Sequence, residues 1–356
     1  MNMKRLLIAM AFTGSMWLGP DVVAAQAAPC LIVTLTGTRG GPQQPFNGLA
    51  SAGTLVRYGD DTNNCGTVKL QFDAGRGTTM RLSQIGVGTE QLNAVFFTHM
   101  HTDHTEDFVD LVLSRWTFHG TGPKIDAVCS TDVASPQGFT ISCRNFVAHM
   151  VDAFIQSGEI AQRHSEVKER TAGGPAELVN TVTFDPKDEP QLVWSSGDVR
   201  GSAIRSTHIP GYVSYRVDTP AGSVVIGGDA VNDVLAPPRK YSTSDQVERL
   251  SKGADIIVHS AIHPIMGPGM GSDMYPYAYY RQSTATDIGA MAQRDEAKYL
   301  MLTHLIPSLG ADEQYPFKVP GRPLTEADYR KAAQDGGFTG TIIVGTDLAS
   351  LRLPAN

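Results

Sequence analysis

The chain has 356 residues, 36 acidic against 29 basic side chains, a formal net charge of −7, and 41% hydrophobic and 18% charged residues. This composition excludes a disordered or fibrous polymer, and the acidity provides no general attraction to nucleic acid, so no nucleic-acid partner is expected. At the start, Lys4 and Arg5 precede the apolar stretch Leu6 to Leu18, and Ala25-Gln26-Ala27 offers small residues for cleavage. Residues 1–27 are therefore expected to be a cleaved secretory signal peptide, since so short a run makes a poor membrane span. The mature protein, 28–356, is expected to be a single periplasmic or secreted domain with no stable membrane anchor. Pro29 before Cys30 argues against a lipid on that cysteine.

Export allows disulfides. Four cysteines permit three connectivities. Cys129 and Cys143 bracket a short polar loop and are paired first, leaving Cys30 with Cys65. No Cys-x-x-Cys pair is present to suggest a zinc site built on thiolates.

In chain order, short strands are expected over Leu31 to Thr36, Ser51 to Tyr58 and Val68 to Phe72, separated by Gly/Pro-rich turns. A helix is expected over Thr78 to Ile85, then an apolar strand over Ala94 to Thr98 and a helix over Phe108 to Phe118. Residues from about 120 to 190 are irregular, with one helical stretch from Phe146 to Ile155, and are read as an insertion or lid. Strands return at Val199 to Thr207, Val213 to Val217, Val224 to Ile226, Ile256 to Val258 and Tyr299 to Thr303. Helices are expected at Asp245 to Lys252, Thr284 to Arg294 and Thr325 to Gln334, and a final strand at Thr341 to Val344. Two strand-rich halves suit a pseudo-symmetric sandwich.

The strand from Ala94 runs into His99-Met100-His101-Thr102-Asp103-His104, where four ligand-type side chains fall within six residues. Imidazole and carboxylate are the ligands a hydrolytic zinc site takes. In an extended turn His99 and His101 share one side, while Asp103 and His104 lie further along and address a second position. Gly75 and Gly77 do not make a phosphate-binding loop, because no Lys-Ser/Thr follows them.

The segment resembles the His-x-His-x-Asp-His signature of the metallo-β-lactamase superfamily, whose fold is an α/β four-layer αβ/βα sandwich. The resemblance implies three later ligands on strand ends. His208 after Ala203 to Thr207, Asp229 closing Val224 to Gly228, and His304 after Tyr299 to Thr303 match them. It assigns His99, His101 and His208 to one Zn2+ and Asp103, His104 and His304 to the other, with Asp229 bridging; iron or manganese could replace zinc. Two such ions sharing a water lower its pKa and present hydroxide to an ester. Asp103 would hold a metal and orient that nucleophile, and His259, after Ile256 to Val258, would protonate the leaving group. His263 is the weaker alternative. Asp73 would orient the ligand loop through hydrogen bonds.

Aspartate at the bridging position ranks β-lactam cleavage low. The motifs look most like the arylsulfatase branch close to ribonuclease Z, so the expected substrate is a small-molecule ester, an aryl sulfate first, a phosphodiester second and a lactone after them. A transfer-RNA substrate is disfavoured by the acidity and the expected export. The tyrosines at 275, 277, 279 and 280 are candidates to shape the pocket.

Overall fold

The computed structural model describes residues 27–42 and 48–354. The expected signal peptide, apart from residue 27, lies outside them. Among the described residues, no helix is long and apolar enough to cross a membrane.

Two seven-stranded sheets carry the fold. The first runs, in spatial order, Ser350–Leu353, Pro29–Gly37, Gly53–Asp60, Val68–Phe72, Ala94–Phe96, Ile125–Ser130 and Val179–Phe184. The second runs Thr341–Val344, Tyr299–Ile306, Ile256–Ile262, Gly222–Gly228, Val213–Thr219, Val199–Arg205 and Gln191–Ser196. Each has an antiparallel half and a parallel half. Pairing changes to parallel at Val68–Phe72 in the first sheet and at Gly222–Gly228 in the second.

Alternation along the strands creates the layers, because successive side chains face opposite sides. Leu70, Phe72, Phe96, Tyr215, Val217, Val224 and Val258 meet between the sheets. Phe72 stacks on Phe96 at 4.7 Å, and Tyr215 crosses the interface to donate its hydroxyl to the Phe97 carbonyl at 2.8 Å. On the outer face of the first sheet, Leu55, Val95 and Ala127 pack under Leu82 of helix Thr78–Gln84 and under Phe108, Leu111 and Val112 of helix Phe108–Phe118. On the outer face of the second, Ile257, Ala261, Leu300 and Leu302 pack under helices Asp245–Ser251, Ala285–Arg294 and Glu326–Asp335. The result is the expected four-layer αβ/βα sandwich.

Local chemistry fixes the helix starts. Ser244 and Thr284 each accept a backbone N–H three residues on, and Thr325 with Asp328 forms a reciprocal capping box. Arg115, fully buried, donates to the carbonyls of Thr89, Leu92, Pro123 and Lys124. It thereby ties together the loops that flank the strand leading to His99. A buried guanidinium is tolerable only with its donors engaged in this way.

Both expected disulfides are present, Cys30–Cys65 and Cys129–Cys143. The stretch from 120 to 190 needs correcting. It opens with the sheet strand Ile125–Ser130 and nears its close with Val179–Phe184, which pairs parallel to it, so the excursion from the sheet is confined to residues 131–178. The expected helix from Phe146 to Ile155 is two shorter helices, Cys143–His149 and Asp152–Gln156. The last strand is Ser350–Leu353, which crosses back to pair with Pro29–Gly37 in the first sheet.

Asp295, at the end of helix Ala285–Arg294, is 4% exposed, and its Oδ2 has no hydrogen-bond partner. Burial, joined by the Glu248 charge, pushes its carboxyl up to about 7. A carboxyl whose folded pKa lies above its unfolded value costs no stability while protonated in both states. The penalty therefore appears above about pH 4, grows as pH rises toward the folded value and is constant beyond it. Asp295→Asn should raise stability by about 2 kcal/mol at pH 8, with the gain vanishing near pH 4. Urea unfolding of both proteins at the two pH values checks this; an equal difference at both would refute it.

Candidate metal centre

The strand ends converge on one cluster. Beyond Ala94–Phe96 the chain passes through Thr98 and His99 into a four-residue helical turn, Thr102–Thr105, that carries Asp103 and His104. The loop after Val68–Phe72 pins this turn from beneath, since Ala74 N–H donates to the His104 carbonyl and Asp107 N–H to the Ala74 carbonyl. Gly75 is required by this close approach, because a Cβ there would overlap the Asp103 carbonyl oxygen.

Asp73 is the buried hub of the loop. Its carboxylate accepts from Thr98 N–H at 2.8 Å, from Thr98 Oγ1 at 2.9 Å and from His104 Nδ1 at 2.8 Å. Thr98 Oγ1 also lies 3.0 Å from His99 Nδ1. Both imidazoles thereby turn Nε2 toward the cluster, where His99 Nε2 lies 2.8 Å from His101 Nδ1 and His104 Nε2 has no hydrogen-bond partner.

From the second sheet come His208, Asp229 and His304. His208 Nδ1 lies 3.3 Å from the Arg281 carbonyl. Asp229 follows Gly228, whose φ of 59° and contact with the Tyr212 hydroxyl leave no room for a Cβ. His304 has a φ of 46° and sits where the pairing of Tyr299–Ile306 with Ile256–Ile262 slips register, so the strand continues past the residue expected to end it.

All seven expected ligand residues are brought together. His99, His101 and His208 form one group whose ligand atoms lie within 4.8 Å of one another; Asp103, His104 and His304 form a second; His99, His104 and Asp229 form a third that spans the two. Asp229 approaches His104 Nε2 at 3.4 Å, His304 Nδ1 at 3.4 Å and His208 Nε2 at 3.8 Å.

The electrostatics describe a site made for cations. Burial, reinforced by neighbouring imidazoles, holds His99 well below its usual range, and burial brings His208 down to about 3. These rings are therefore neutral, the form that ligates metal. Burial would raise Asp103 and Asp229, but the adjacent histidines prevail, leaving Asp103 at about 2 and Asp229 well below the carboxylate range. Burial would lower His104, but Asp73, Asp229 and Asp103 hold it well above the imidazole range. Asp103 Oδ1, His104 Nε2, Asp229 Oδ1 and His304 Nδ1 are buried without hydrogen-bond partners. Each orphan is costly unless something binds it. Metal ions fit these donors.

The comparisons with known proteins agree. No family model matches the chain. It is 26% identical to the ribonuclease Z of Mycobacterium bovis (strain BCG / Pasteur 1173P2) over 89% of its own length and 96% of that protein's. It is 28% identical to the ribonuclease Z of Mycobacterium avium (strain 104) over 91% and 98%. The fold is similar to that of the metallo-β-lactamase-fold protein YhfI of Bacillus subtilis, with a TM-score of 0.57 and 18% identity over 91% of this chain and all of that one. The short form of human tRNase Z gives 0.55 and 16% over the same shares. The chain is a metal-dependent hydrolase with the metallo-β-lactamase fold, similar to proteins named ribonuclease Z along nine-tenths of its length.

Two expectations for this hydrolase need correcting. The absence of a nucleic-acid partner, argued from net charge, is contradicted by relatives named ribonuclease Z along nine-tenths of the chain. His259, offered as the general acid, is fully buried and shares the helix-facing side of its strand with Ile257 and Ala261. Its Nδ1 is spent on the Ser260 carbonyl at 2.8 Å, and it lines no part of the cleft. His263 also lies away from the cleft, against Tyr329 at 5.2 Å.

The cluster opens into a cleft with two lobes, of about 350 and 530 Å³, that share Met100, His101, His208 and Arg281. Of the four tyrosines, Tyr277 lines the cleft and Tyr275 stacks on it at 5.5 Å, whereas Tyr279 packs beside Met266 and Met274, and Tyr280 lies under Arg239. Sequence reading missed Arg281, since a single arginine in a polar loop carries no pattern.

Asp73→Ala should lower the affinity for divalent metal by about 10- to 100-fold, the usual cost of losing a group that orients a ligand histidine. Competition against a chelator of known affinity measures it, and an unchanged affinity would show that Asp73 only holds the loop.

Proposed function

We propose that this hydrolase cleaves phosphodiesters through two divalent metal ions, zinc first, with RNA as the substrate class. The similarity to proteins named ribonuclease Z along nine-tenths of the chain carries this reading. Phosphodiester therefore moves ahead of aryl sulfate. The two-lobed cleft supports it, since a chain-like substrate can pass on both sides of the scissile group where His101 and His208 meet.

His99, His101 and His208 would hold one ion, Asp103, His104 and His304 the other, and Asp229 would reach both. When bound, such a pair acidifies a water and offsets negative charge on the phosphoryl oxygens. The chain's own residues do the rest. Asp103 stays ionised at neutral pH, so its carboxylate can hold a metal and orient the attacking water. The Thr98–His99 and Asp73–His104 bonds keep the two imidazoles from turning. Met100 and Ile306 on the cleft wall limit bulk water, and Tyr277 supplies an aromatic side for a base or aryl group.

Elemental analysis should find two metals per chain, with turnover of bis(4-nitrophenyl) phosphate and an RNA oligonucleotide far above that of 4-nitrophenyl sulfate. Asp103→Ala should lower turnover at least 1,000-fold with the fold intact; a loss within about tenfold, or about 1.4 kcal/mol of barrier, would refute its role. Dominant sulfate turnover would restore the other ester.

We also propose that the protein acts outside the cytosol. The signal-like start and two disulfides with no free cysteine among the described residues support this. Exported protein should begin at Ala28 by mass spectrometry and show no free thiol until reduced. Retention in the cytosol with its N-terminus intact would overturn the proposal.

A further inference from the structure

Resting on the phosphodiester reading, we infer that Arg281 is the residue that selects an anionic substrate, by gripping an unesterified oxygen of the group under attack. Arg281 is half-buried and lines both lobes of the cleft. It stands close enough to His101 and His208 to disfavour protonation of each. Among the described residues no carboxylate pairs with it, and its guanidinium makes one long bond, 3.5 Å, to the His208 carbonyl.

A permanent cation beside a centre that collects metal ions is unfavourable by itself, because like charges repel across a poorly solvated gap. Its presence there requires an anion that both can share. A phosphodiester supplies one, with one oxygen for the metals and another for the planar donor fork of the guanidinium. A neutral ester or lactone has no such charge.

The loop is braced to hold the side chain in place. Arg239 donates to the carbonyls of Tyr280 at 2.7 Å and Gln282 at 3.4 Å, on either side of Arg281, and lies over the Tyr280 ring at 4.9 Å. The Arg281 carbonyl meanwhile faces His208 Nδ1. One residue thus orients a ligand through its backbone and faces the substrate through its side chain. Changing the side chain alone leaves the carbonyl in place.

The test uses metal-loaded full mature protein and the variants Arg281→Gln and Arg281→Lys, with metal content measured on each. Calorimetric titration with inorganic phosphate should show binding weakened at least tenfold in Arg281→Gln and less in Arg281→Lys, with metal content equal to wild type. The kcat/KM for bis(4-nitrophenyl) phosphate should fall about 100-fold in Arg281→Gln, the usual scale for losing one charged donor at a reacting oxygen. Phosphate affinity in Arg281→Gln within twofold of wild type would overturn the proposal. So would loss of metal from Arg281→Gln, which would make the residue structural. Failure of the loaded wild-type protein to cleave the diester would overturn the phosphodiester reading instead, while the phosphate titration would still decide the role of Arg281.

Discussion

The site depends on one buried carboxylate, that of Asp73. Removing a carboxylate from water is costly unless donors surround it, and here three do: Thr98 N–H, Thr98 Oγ1 and His104 Nδ1. Its backbone is equally committed, with its N–H on the Phe96 carbonyl and its carbonyl accepting from Gln71 Nε2. This leaves the residue at a φ of 54°, a conformation aspartate tolerates better than most residues. One side chain therefore orients two imidazoles, His104 directly and His99 through the Thr98 hydroxyl.

The place of Asp73 in the sheet explains why such a group can exist there. Val68–Phe72 is the strand at which the first sheet changes from antiparallel to parallel pairing, and Gly222–Gly228 is its counterpart in the second. Asp73 follows the first and Asp229 the second. At a change of pairing, neighbouring connections leave in different directions and open a crevice beyond the strand ends. The two halves of the fold each deliver a carboxylate into that crevice, and histidines on the adjoining strand ends complete it. The resulting concentration of negative charge is what pulls His104 upward and makes the centre a receptor for cations.

What was legible in the sequence follows the range over which each feature is determined. The cluster from His99 to His104 is local, and His208, Asp229 and His304 each follow an apolar run that could be read alone. The strands Ile125–Ser130 and Val179–Phe184 were missed because their neighbours in sequence are irregular and only mutual pairing makes them sheet. Ser350–Leu353 is four residues long and owes its place to Pro29–Gly37, more than 300 positions away. His259 was misjudged for a different reason. Being near the end of a strand does not decide which face a side chain takes, and the alternation that puts Val258 between the sheets sends His259 to the helices.

The error over nucleic acid is the most general. A net charge of −7 sums over the whole molecule, yet screening limits the reach of exposed charges to about 10 Å, so distant surface carboxylates hardly weigh on one scissile phosphate. Under the proposed function, what a phosphate would meet in this cleft is the metal-ligand cluster on one side and, on the other, an arginine with no carboxylate partner among the described residues. With metals bound there, poorly screened positive charge at that point would outweigh a diffuse surface excess of the opposite sign. Under the proposed function, affinity would come from the cleft itself, where contacts to the reacting group can be strengthened as its charge develops.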